Sequence, residues 1–354
     1  MFEPSPQSRL QSRKALLDVL DGIDPHRRPL WMMRQAGRYL PEYRELRAKA
    51  GSFLSLCYDP QLASEVTLQP LKRFDFDAAI LFADILLIPQ ALGASLSFQA
   101  GDGPVLSTVR SSTDLAGLSA DRISDLLAPV YDTVARVAAL KPEGVALIGF
   151  CGAPWTVASY MIEGRSSTRR EARLAAILAP SWFQSLIDLI VEASIEYLVS
   201  QVRAGAEAVQ IFDSWAGDLP AHCFERWCIE PVRQIIDGVR AQIPEARVIG
   251  FPRAAGTNLL DFAQRVPVNA VAVDAGVSPR VMGRDLAPLC AVQGNIDPLV
   301  LLAGGAALDA AVDDLAAAIP KRRHIANLGH GILPETPIAH VDALVARVRL
   351  HDGL

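Results

Sequence analysis

Four arginines within fourteen residues are the first feature of this sequence with chemical meaning. They lie in RQAGRYLPEYRELR, which begins at Arg34 and ends at Arg47, and Ala36-Gly37 separates the first two. Arginine offers a planar fork of donors that matches a carboxylate, and it keeps its charge when partly desolvated. Glycine lets the backbone approach a ligand closely. We therefore expect Arg34 and Arg38 to bind a polycarboxylate, whereas Arg47 fits either this role or a salt-bridged helix start.

A single carboxylate, Asp84, stands in the otherwise apolar run AAILFADILLIPQ. Burying a lone charge costs free energy unless the charge is paired or meets a ligand. Two interpretations stay open for Asp84. It forms an ion pair with a nearby arginine, or it faces ligand N–H groups or developing positive charge.

Three further polar side chains follow apolar runs. Tyr160 stands after GFCGAPW, Ser214 lies in IFDSWAG and His330 lies in NLGHGI. Tyr160 fits a half-buried packing role as well as a ligand contact, and a histidine at such a place acts as a base, an acid or a hydrogen-bonding group. Because Ser214 is not part of a Gly-x-Ser-x-Gly turn, we exclude a serine hydrolase of that type.

The sequence gives little support for a metal centre, a nucleic-acid surface or a membrane span. His222 and Cys223 are adjacent, and adjacent residues on a helix point about 100° apart, which does not suit zinc ligation. The net charge is −5, and no stretch approaches the ~20 apolar residues of a membrane span. The first fourteen residues lack an apolar signal region, and the five cysteines show no disulfide pattern. These features predict a cytoplasmic protein with reduced, mostly buried cysteines.

Short apolar runs rich in β-branched residues recur along the chain, and amphipathic helical segments separate most of them. Asp59-Pro60 predicts the start of one helix, and apolar spacing predicts another from about 181 to 203. The pattern predicts an α/β fold, a (βα)₈ TIM-type barrel. An open doubly wound sheet is the alternative, although no dinucleotide or phosphate loop follows any strand. The predicted strands are 29–33, 78–82, 145–149, 208–212, 247–251, 270–273, 290–293 and 324–327.

Two expectations about organisation accompany the barrel. The segment 87–120 is long and rich in glycine and serine, so we interpret it as an insertion after the second strand. No low-complexity linker divides the chain, so residues 1–354 are predicted to form one domain. Because barrel active sites lie at the C-terminal ends of strands, Arg34, Asp84 and His330 should share one rim.

Two long segments resemble signatures of the uroporphyrinogen decarboxylase family: PLWMMRQAGR at 29–38 and GFCGAPWTVASYMIEG at 149–164. TLQPLKRFDFDAAILFADIL, QIFDSWAG, QGNIDP and NLGHGI extend the resemblance in the expected order over nearly the whole chain. The resemblance implies a (βα)₈ barrel, usually a homodimer, that uses no cofactor and no metal. It also implies conversion of uroporphyrinogen III to coproporphyrinogen III, by loss of four acetate carboxylates as CO₂ in tetrapyrrole synthesis.

The resemblance also implies the site. Asp84 would accept hydrogen bonds from pyrrole N–H groups and stabilise a cationic ring, and Arg34 would bind carboxylates. A proton-relaying role for Arg34 is chemically less comfortable because arginine rarely gives up its proton. Family members commonly have serine at the position of Ala83, so one hydroxyl contact is missing here. The substrate-binding positions carried over by motif are Arg34, Gln35, Ala36, Gly37, Arg38, Asp84, Tyr160, Ser214 and His330, with Arg47 a further candidate.

Two other functions stay open at this point. A zinc-dependent methyltransferase that shares the barrel would need His and Cys ligands at the strand ends, where this sequence has Arg34, Arg38 and Asp84 instead. A non-catalytic tetrapyrrole-binding barrel would bind the porphyrinogen without releasing CO₂. A metal assay separates the first of these from the decarboxylase, and an assay for product separates the second.

Overall fold

The computed structural model of the chain describes residues 13–99 and 103–353. Its centre is a seven-stranded parallel sheet in the order β1-β4-β5-β6-β7-β8-β9, and helices pack against it. The sheet strands are almost wholly buried, which explains why they appear in the sequence as continuous apolar runs without polar alternation. The strands are β1 Ala78–Ile80, β2 Leu96–Gln99, β3 Gly103–Leu106, β4 Ala146–Gly152, β5 Ala208–Asp213, β6 Val248–Pro252, β7 Ala270–Ala272, β8 Ala291–Gln293 and β9 His324–Ile325.

The α-helices of the described residues connect the strands. In chain order they are α1 Ala15–Leu20, α2 Pro41–Lys49, α3 Phe53–Cys57, α4 Pro60–Arg73, α5 Leu87–Leu92, α6 Ser112–Ala116, α7 Ile123–Leu126, α8 Ala128–Leu140, α9 Pro154–Glu163, α10 Arg170–Leu178, α11 Pro180–Arg203, α12 Ala221–Phe224, α13 Glu230–Gln242, α14 Asn258–Arg265, α15 Pro279–Val281, α16 Pro298–Ala303, α17 Gly305–Ala318 and α18 Ile338–Leu350. Short 3₁₀ turns lie at Ala216–Asp218 and Lys321–Arg323, and π-helical turns lie at Glu225–Ile229 and Met282–Leu286. The strand–helix alternation confirms an α/β fold of TIM type.

Both helices predicted individually are confirmed. The Asp59 carboxylate caps α4 by accepting the N–H groups of Gln61 and Leu62, each at 2.9 Å. Helix α11 buries Ile187 and Leu198 on one face, as the apolar spacing predicted. Local capping chemistry and helical periodicity are therefore enough to locate these two elements.

The predicted first strand, 29–33, contributes one bridging residue instead of a regular strand. Leu30 pairs in parallel with Ala326, and its carbonyl accepts the Asp77 N–H at 2.8 Å. The Leu30 N–H donates to the Asp77 carboxylate at 2.7 Å. A side chain therefore takes the hydrogen bond that a neighbouring strand would make, and the ladder stops after one residue. Through Leu30, backbone hydrogen bonds nevertheless reach both edges of the sheet.

Buried ion pairs hold this seam. The Asp77 side chain is 2% exposed and pairs with Arg27 Nε at 2.6 Å and with Arg349 Nη2 at 2.7 Å. Arg349 belongs to α18 and also donates to the carbonyl of Arg28 at 2.8 Å. Two guanidinium groups and one backbone donor satisfy the carboxylate, so its burial does not leave an uncompensated charge. The last helix therefore fixes the first bridging segment.

The segment 87–120 contains regular elements. It holds α5, the antiparallel pair β2–β3, in which Leu96 lies opposite Leu106, and α6. These elements lie between β1 and β4 in the chain and form no part of the parallel sheet. The interpretation of this segment as an insertion stays a prediction.

The cysteines agree with the expectation of reduced, mostly buried side chains. All five are free, and only Cys223 is partly exposed. Within the described ranges, no single helix is long and apolar enough to cross a membrane. One bent pair, α10 with α11, meets that test of length and composition at a bend of 114°.

Candidate active site

Arg34 starts the turn that follows the Leu30 segment. Its backbone is left-handed, with φ of 63°, a conformation that residues other than glycine rarely adopt. The neighbouring backbone is fixed, because the Met33 N–H donates to Asn327 Oδ1 at 3.0 Å and the Met33 carbonyl accepts the Ile332 N–H at 3.0 Å. The turn that carries Arg34 is thus tied to the loop that carries His330.

Gln35 holds this turn from inside. Its side chain is fully buried, its Oε1 accepts the Met32 N–H at 3.0 Å, and its Nε2 donates to the Ala78 carbonyl at 3.0 Å. The side-chain amide therefore connects the turn to β1. A ligand contact by Gln35 stays a prediction, and sequence reasoning missed this supporting role.

The Arg34 side chain lies at the protein surface beside other charged groups. Its surface is exposed to water, yet burial by the surrounding protein lowers its pKa, Asp84 opposes that shift, and the like charges of Arg38 and Arg253 add to it. Water thus reaches the guanidinium from one side while protein encloses the others. Among the described residues, it forms no ion pair and no side-chain hydrogen bond. Its donors are therefore free for an anionic ligand.

Asp84 lies beside Arg34 without pairing with it. The Leu86 N–H donates to Asp84 Oδ1 at 2.8 Å, and no ion pair to Asp84 occurs within the described part of the chain. Burial raises its pKa to about 6, although the Leu86 hydrogen bond and the Arg34 charge both act to lower it. Of the two interpretations of Asp84, the ion pair is not formed. One carboxylate oxygen is left to meet a ligand donor.

Tyr160 has the packing role considered for it, and its ligand contact stays a prediction. Its ring packs on Trp215, with centroids 4.2 Å apart, and the guanidinium of Arg169 lies 4.8 Å from the Trp215 ring. Burial raises the pKa of Tyr160, and the nearby charge of Asp84 raises it further. The aromatic face thus packs against the protein while the phenol group shares the electrostatic environment of Asp84.

Ser214 and Arg253 follow two neighbouring strands, β5 and β6. Both are half-buried, and Arg253 Nη1 donates to the Ser214 carbonyl at 3.3 Å. Arg253 was not among the predicted site residues, although its place directly after a predicted strand was a signal that could have found it. The structure brings it close enough to Arg34 and His330 to shift the pKa of both.

His330 is a neutral group at ordinary pH. Burial lowers its pKa to about 4, the charges of Arg34 and Arg253 lower it as well, and Asp274 opposes them. A neutral imidazole beside cationic guanidinium groups serves as a hydrogen-bonding partner rather than as a cation.

Arg38 and Arg47 lie towards the outside of this group. Arg38 is exposed, and Gly37 beside it is needed because a β-carbon there would lie 2.7 Å from the Arg34 carbonyl oxygen. Ala36 is half-buried in the same turn. Arg47 is half-buried in α2 and donates to the Gly51 carbonyl at 3.2 Å. Neither arginine forms an ion pair within the described ranges, so the salt-bridged alternative for Arg47 is not seen.

Taken together, strand ends and neighbouring turns bring one electrostatically coupled group together: the charges of Asp84, Arg38, Tyr160 and Arg253 act on Arg34, and Arg34 acts on His330. One half-buried carboxylate stands among cationic and neutral donors there. Across residues 13–99 and 103–353, no three His, Cys, Asp or Glu side chains lie together as a metal-binding group. The fold and this site define an α/β barrel with a rim suited to an anionic small molecule.

Comparison with known proteins gives the family. The model of the family "Uroporphyrinogen decarboxylase (URO-D)" matches residues 11–351. A uroporphyrinogen decarboxylase of Sphingopyxis alaskensis is 52% identical over 96% of this chain and 98% of its own, and one of Chelativorans sp. is 50% identical over the same shares. The chain belongs to the uroporphyrinogen decarboxylase family, whose members are decarboxylases of porphyrin biosynthesis.

A solved structure supports the fold. A methyltransferase from Methanosarcina mazei superimposes with a TM-score of 0.78 over 96% of this chain and 98% of its own. Its sequence identity is 22%, so the likeness concerns the fold alone.

Proposed function

We propose that this chain converts uroporphyrinogen III to coproporphyrinogen III, removing the carboxylates of four acetate side chains as CO₂ without a cofactor or metal. The substrate is an anionic macrocycle with pyrrole N–H groups at its centre and carboxylates at its periphery. Family membership supports the reaction class. The arrangement of the site supports the more specific statement.

One observation carries the proposal: the position and state of Asp84. Its carboxylate is half-buried, lies near Arg34 and keeps an oxygen without a protein partner in the described residues. Such a group suits pyrrole N–H donors and a ring that gains positive charge during the reaction. Because protein covers part of the carboxylate, this electrostatic interaction is stronger than it would be in water.

The chemistry needs an electron sink, and the substrate ring provides it. Protonation of a pyrrole carbon gives a cationic, iminium-like ring, and the bond between the acetate methylene and its carboxylate then breaks. The electron pair of that bond flows into the ring and CO₂ leaves. A proton adds to the exocyclic carbon to give a methyl group, and loss of the first proton restores the pyrrole. Each cycle exchanges one CO₂ for one proton.

In this proposal the remaining residues orient the substrate. Arg34 and Arg38 bind peripheral carboxylates through their guanidinium groups, and Arg47 extends this cationic surface at its edge. Tyr160 and His330 act as neutral hydrogen-bonding groups beside the charged ones. The guanidinium of Arg34 keeps its own proton. In this proposal Arg34 therefore takes part in the proton transfer only by orienting the group that donates the proton.

The backbone turn and the assembly complete the proposal. Gln35, Ala36 and Gly37 would contact the substrate through the turn, and Ser214 would do so from the end of β5. We take the Leu30 segment as the eighth strand of a closed barrel and the whole chain as one domain. A cytoplasmic homodimer is the expected form. Sedimentation equilibrium of the purified protein tests the dimer.

The test is anaerobic incubation of metal-stripped protein with uroporphyrinogen III, followed by separation of the oxidised products by carboxylate number. Stepwise appearance of seven-, six-, five- and four-carboxylate porphyrins is the expected result. Bound but unconverted eight-carboxylate porphyrinogen would favour a non-catalytic binding protein instead. Protein that neither binds nor converts it would contradict both and point to other chemistry on this fold.

A further inference from the structure

We propose that Arg253 is a further substrate-binding residue, which holds a peripheral carboxylate of the substrate across the site from the Arg34–Arg38 turn. Arg253 directly follows β6, lies outside the arginine-rich turn and was not among the predicted site residues. Since this inference rests on the proposed function, its test has a readout that does not depend on turnover.

The order of the strands places Arg253 opposite the turn. Around the sheet, the Leu30 segment lies between β9 and β1, and β6 comes three strands after β1 in the order β1-β4-β5-β6. The ends of β6 and of the Leu30 segment therefore face each other across the rim. Arg253 is nevertheless near enough to influence the pKa values of Arg34 and His330. The two cationic groups thus lie on opposite sides of one rim.

The backbone at Arg253 is held in place by several independent contacts. Its N–H donates to the Asp213 carbonyl at 3.0 Å, and its carbonyl accepts the Gly217 N–H at 3.0 Å. Ala254 has a left-handed backbone, with φ of 57°, and its N–H donates to the Asp274 carboxylate at 2.8 Å. An uncommon backbone conformation that several hydrogen bonds enforce is typical of positions that must present a side chain in one direction.

The charge of Arg253 is available to a ligand. Asp274 is the nearby acid, but its two carboxylate oxygens accept the N–H groups of Ala254, at 2.8 Å, and Gly276, at 2.9 Å. Arg253 forms no ion pair among the residues that the structure describes, and its one side-chain hydrogen bond, to the Ser214 carbonyl, is long at 3.3 Å. Four of its five N–H donors thus have no protein acceptor there.

The chemistry of the substrate explains the use of a cation at this place. A macrocycle with carboxylates around its whole periphery cannot be held by arginines on one side alone, because the carboxylates opposite would be desolvated without a partner. The guanidinium of Arg253 supplies that partner on the far side. The planar guanidinium is suited to bind a carboxylate through two hydrogen bonds, so we expect the group bound by Arg253 to be a carboxylate.

The experiment compares Arg253→Gln, Arg253→Lys and the control Arg322→Gln. Arg322 is exposed in the turn before β9, at the opposite end of the sheet, and its replacement changes the net charge equally. Turnover of uroporphyrinogen III gives KM and kcat, fluorescence gives the affinity for uroporphyrin, and NMR titration gives the pKa of His330. For Arg253→Gln we expect KM and the dissociation constant to rise about ten- to a hundredfold, with a smaller change in kcat.

Two further results are expected if Arg253 faces the site as proposed. The pKa of His330 rises in Arg253→Gln, because a positive charge that lowers it has been removed. Arg253→Lys recovers part of the affinity since it keeps the charge and loses the fork. Arg322→Gln behaves as the parent protein in every measurement.

The failures are distinguishable. Unchanged affinity for uroporphyrin in Arg253→Gln overturns the assignment of Arg253. An equal loss of affinity in the Lys and Gln variants, together with lowered thermal stability, also overturns it, because that result indicates a structural role. If the parent protein binds uroporphyrin but makes no coproporphyrinogen, the proposed reaction fails while the comparison of affinities still tests Arg253.

Discussion

The side chain of Arg34 occupies the space beside Gly331 that a β-carbon would fill. A β-carbon on Gly331 would lie 2.8 Å from Arg34 Cγ and 2.9 Å from Arg34 Nε, which is far closer than such atoms approach in folded proteins. The RQAGR and NLGHGI segments, 297 residues apart at these two positions, therefore meet because Gly331 has no side chain. The space left by Gly331 thus allows the Arg34 side chain to extend towards Asp84.

Gly331→Ala should displace the Arg34 side chain while the protein stays folded. The obstructing atoms belong to a flexible side chain that can rotate away, so thermal unfolding should be nearly unchanged. Misplacing a substrate-orienting group by about 1 Å can cost up to about a hundredfold in kcat/KM. Gly217→Ala is the contrast, because its β-carbon meets the fixed Ala254, whose Cβ would be 2.8 Å away, and its unfolding temperature should fall. Full activity in Gly331→Ala would mean that the position of Arg34 is unimportant.

Asp84→Asn should lower kcat about a hundred- to thousandfold, the range found when one preorganised electrostatic group is removed. The stability of the folded protein should not fall with the activity. The pKa of Asp84 is raised from 3.8 in the unfolded chain to about 6 in the folded protein, so its ionisation costs stability that builds up between these values and is fully present above about pH 6. The amide carries no such cost. Calorimetry at pH 8 should show an unfolding temperature equal to or above that of the parent, and a strongly lowered one would assign Asp84 to structure.

The pH dependence of kcat/KM should show an acid limb near pH 6. Asp84 must be ionised to stabilise a cationic ring, and its pKa is about 6, so activity falls as the pH drops through that value. Arg34 acts to lower this pKa, so Arg34→Met should move the limb of the remaining activity to higher pH. Asp213→Asn is the control, since the Asp213 carboxyl also has a pKa of about 6 but is held in the wall by Thr156. If the acid limb disappears in Asp213→Asn, it reports the ionisation of Asp213 and not that of Asp84.

Arg38→Lys should raise KM roughly tenfold, or about 1.4 kcal/mol in binding, because lysine keeps the charge but cannot bind a carboxylate through a fork. Arg38 is exposed and has no ion-pair partner in the ranges described, so the unfolding temperature should not change. Arg136→Lys, on the exposed face of α8, controls for the same substitution elsewhere. An unchanged KM would remove Arg38 from the carboxylate-binding set.

Arg349→Met should destabilise the protein by about 3 kcal/mol, since it leaves the buried Asp77 carboxylate with one cation instead of two. Arg347→Met, two residues away on the same helix, breaks a solvent-accessible pair with Asp313 and should change the stability much less. Urea unfolding of both variants measures the difference. Equal, small losses would mean that the buried seam contributes little.

The strands of the sheet could be predicted because they are buried on both faces and therefore appear as apolar runs. Seven of the eight predicted strands are confirmed. The remaining one, 29–33, differs because the carboxylate of Asp77, 47 residues further along the chain, accepts the Leu30 N–H. Nothing in the segment 29–33 shows that a distant side chain will replace a strand partner there. Long-range substitution of this kind is invisible to local patterns.

The sequence predicted which residues come together at the candidate site better than it predicted where their side chains point. Arg34, Asp84 and His330 could be placed at one rim because parallel strands bring their ends together. The direction of a side chain depends on packing, so sequence alone did not show that the Gln35 amide turns inward to hold β1. Arg253 directly follows a predicted strand but has no other polar motif around it, so its position at the strand end was the one signal for it in the sequence.

The seam at Asp77 also determines when the fold can be completed during synthesis. Leu30 needs Ala326, and the carboxylate that holds it needs Arg349, so these contacts span 272 to 296 residues. A nascent chain on the ribosome has its first bridging segment long before it has the partners, and closing so long a loop is entropically slow. Until the last helix emerges, both edges of the sheet stay open. Protection of those edges by a chaperone is therefore most useful after the sheet strands have emerged and before the last helix follows.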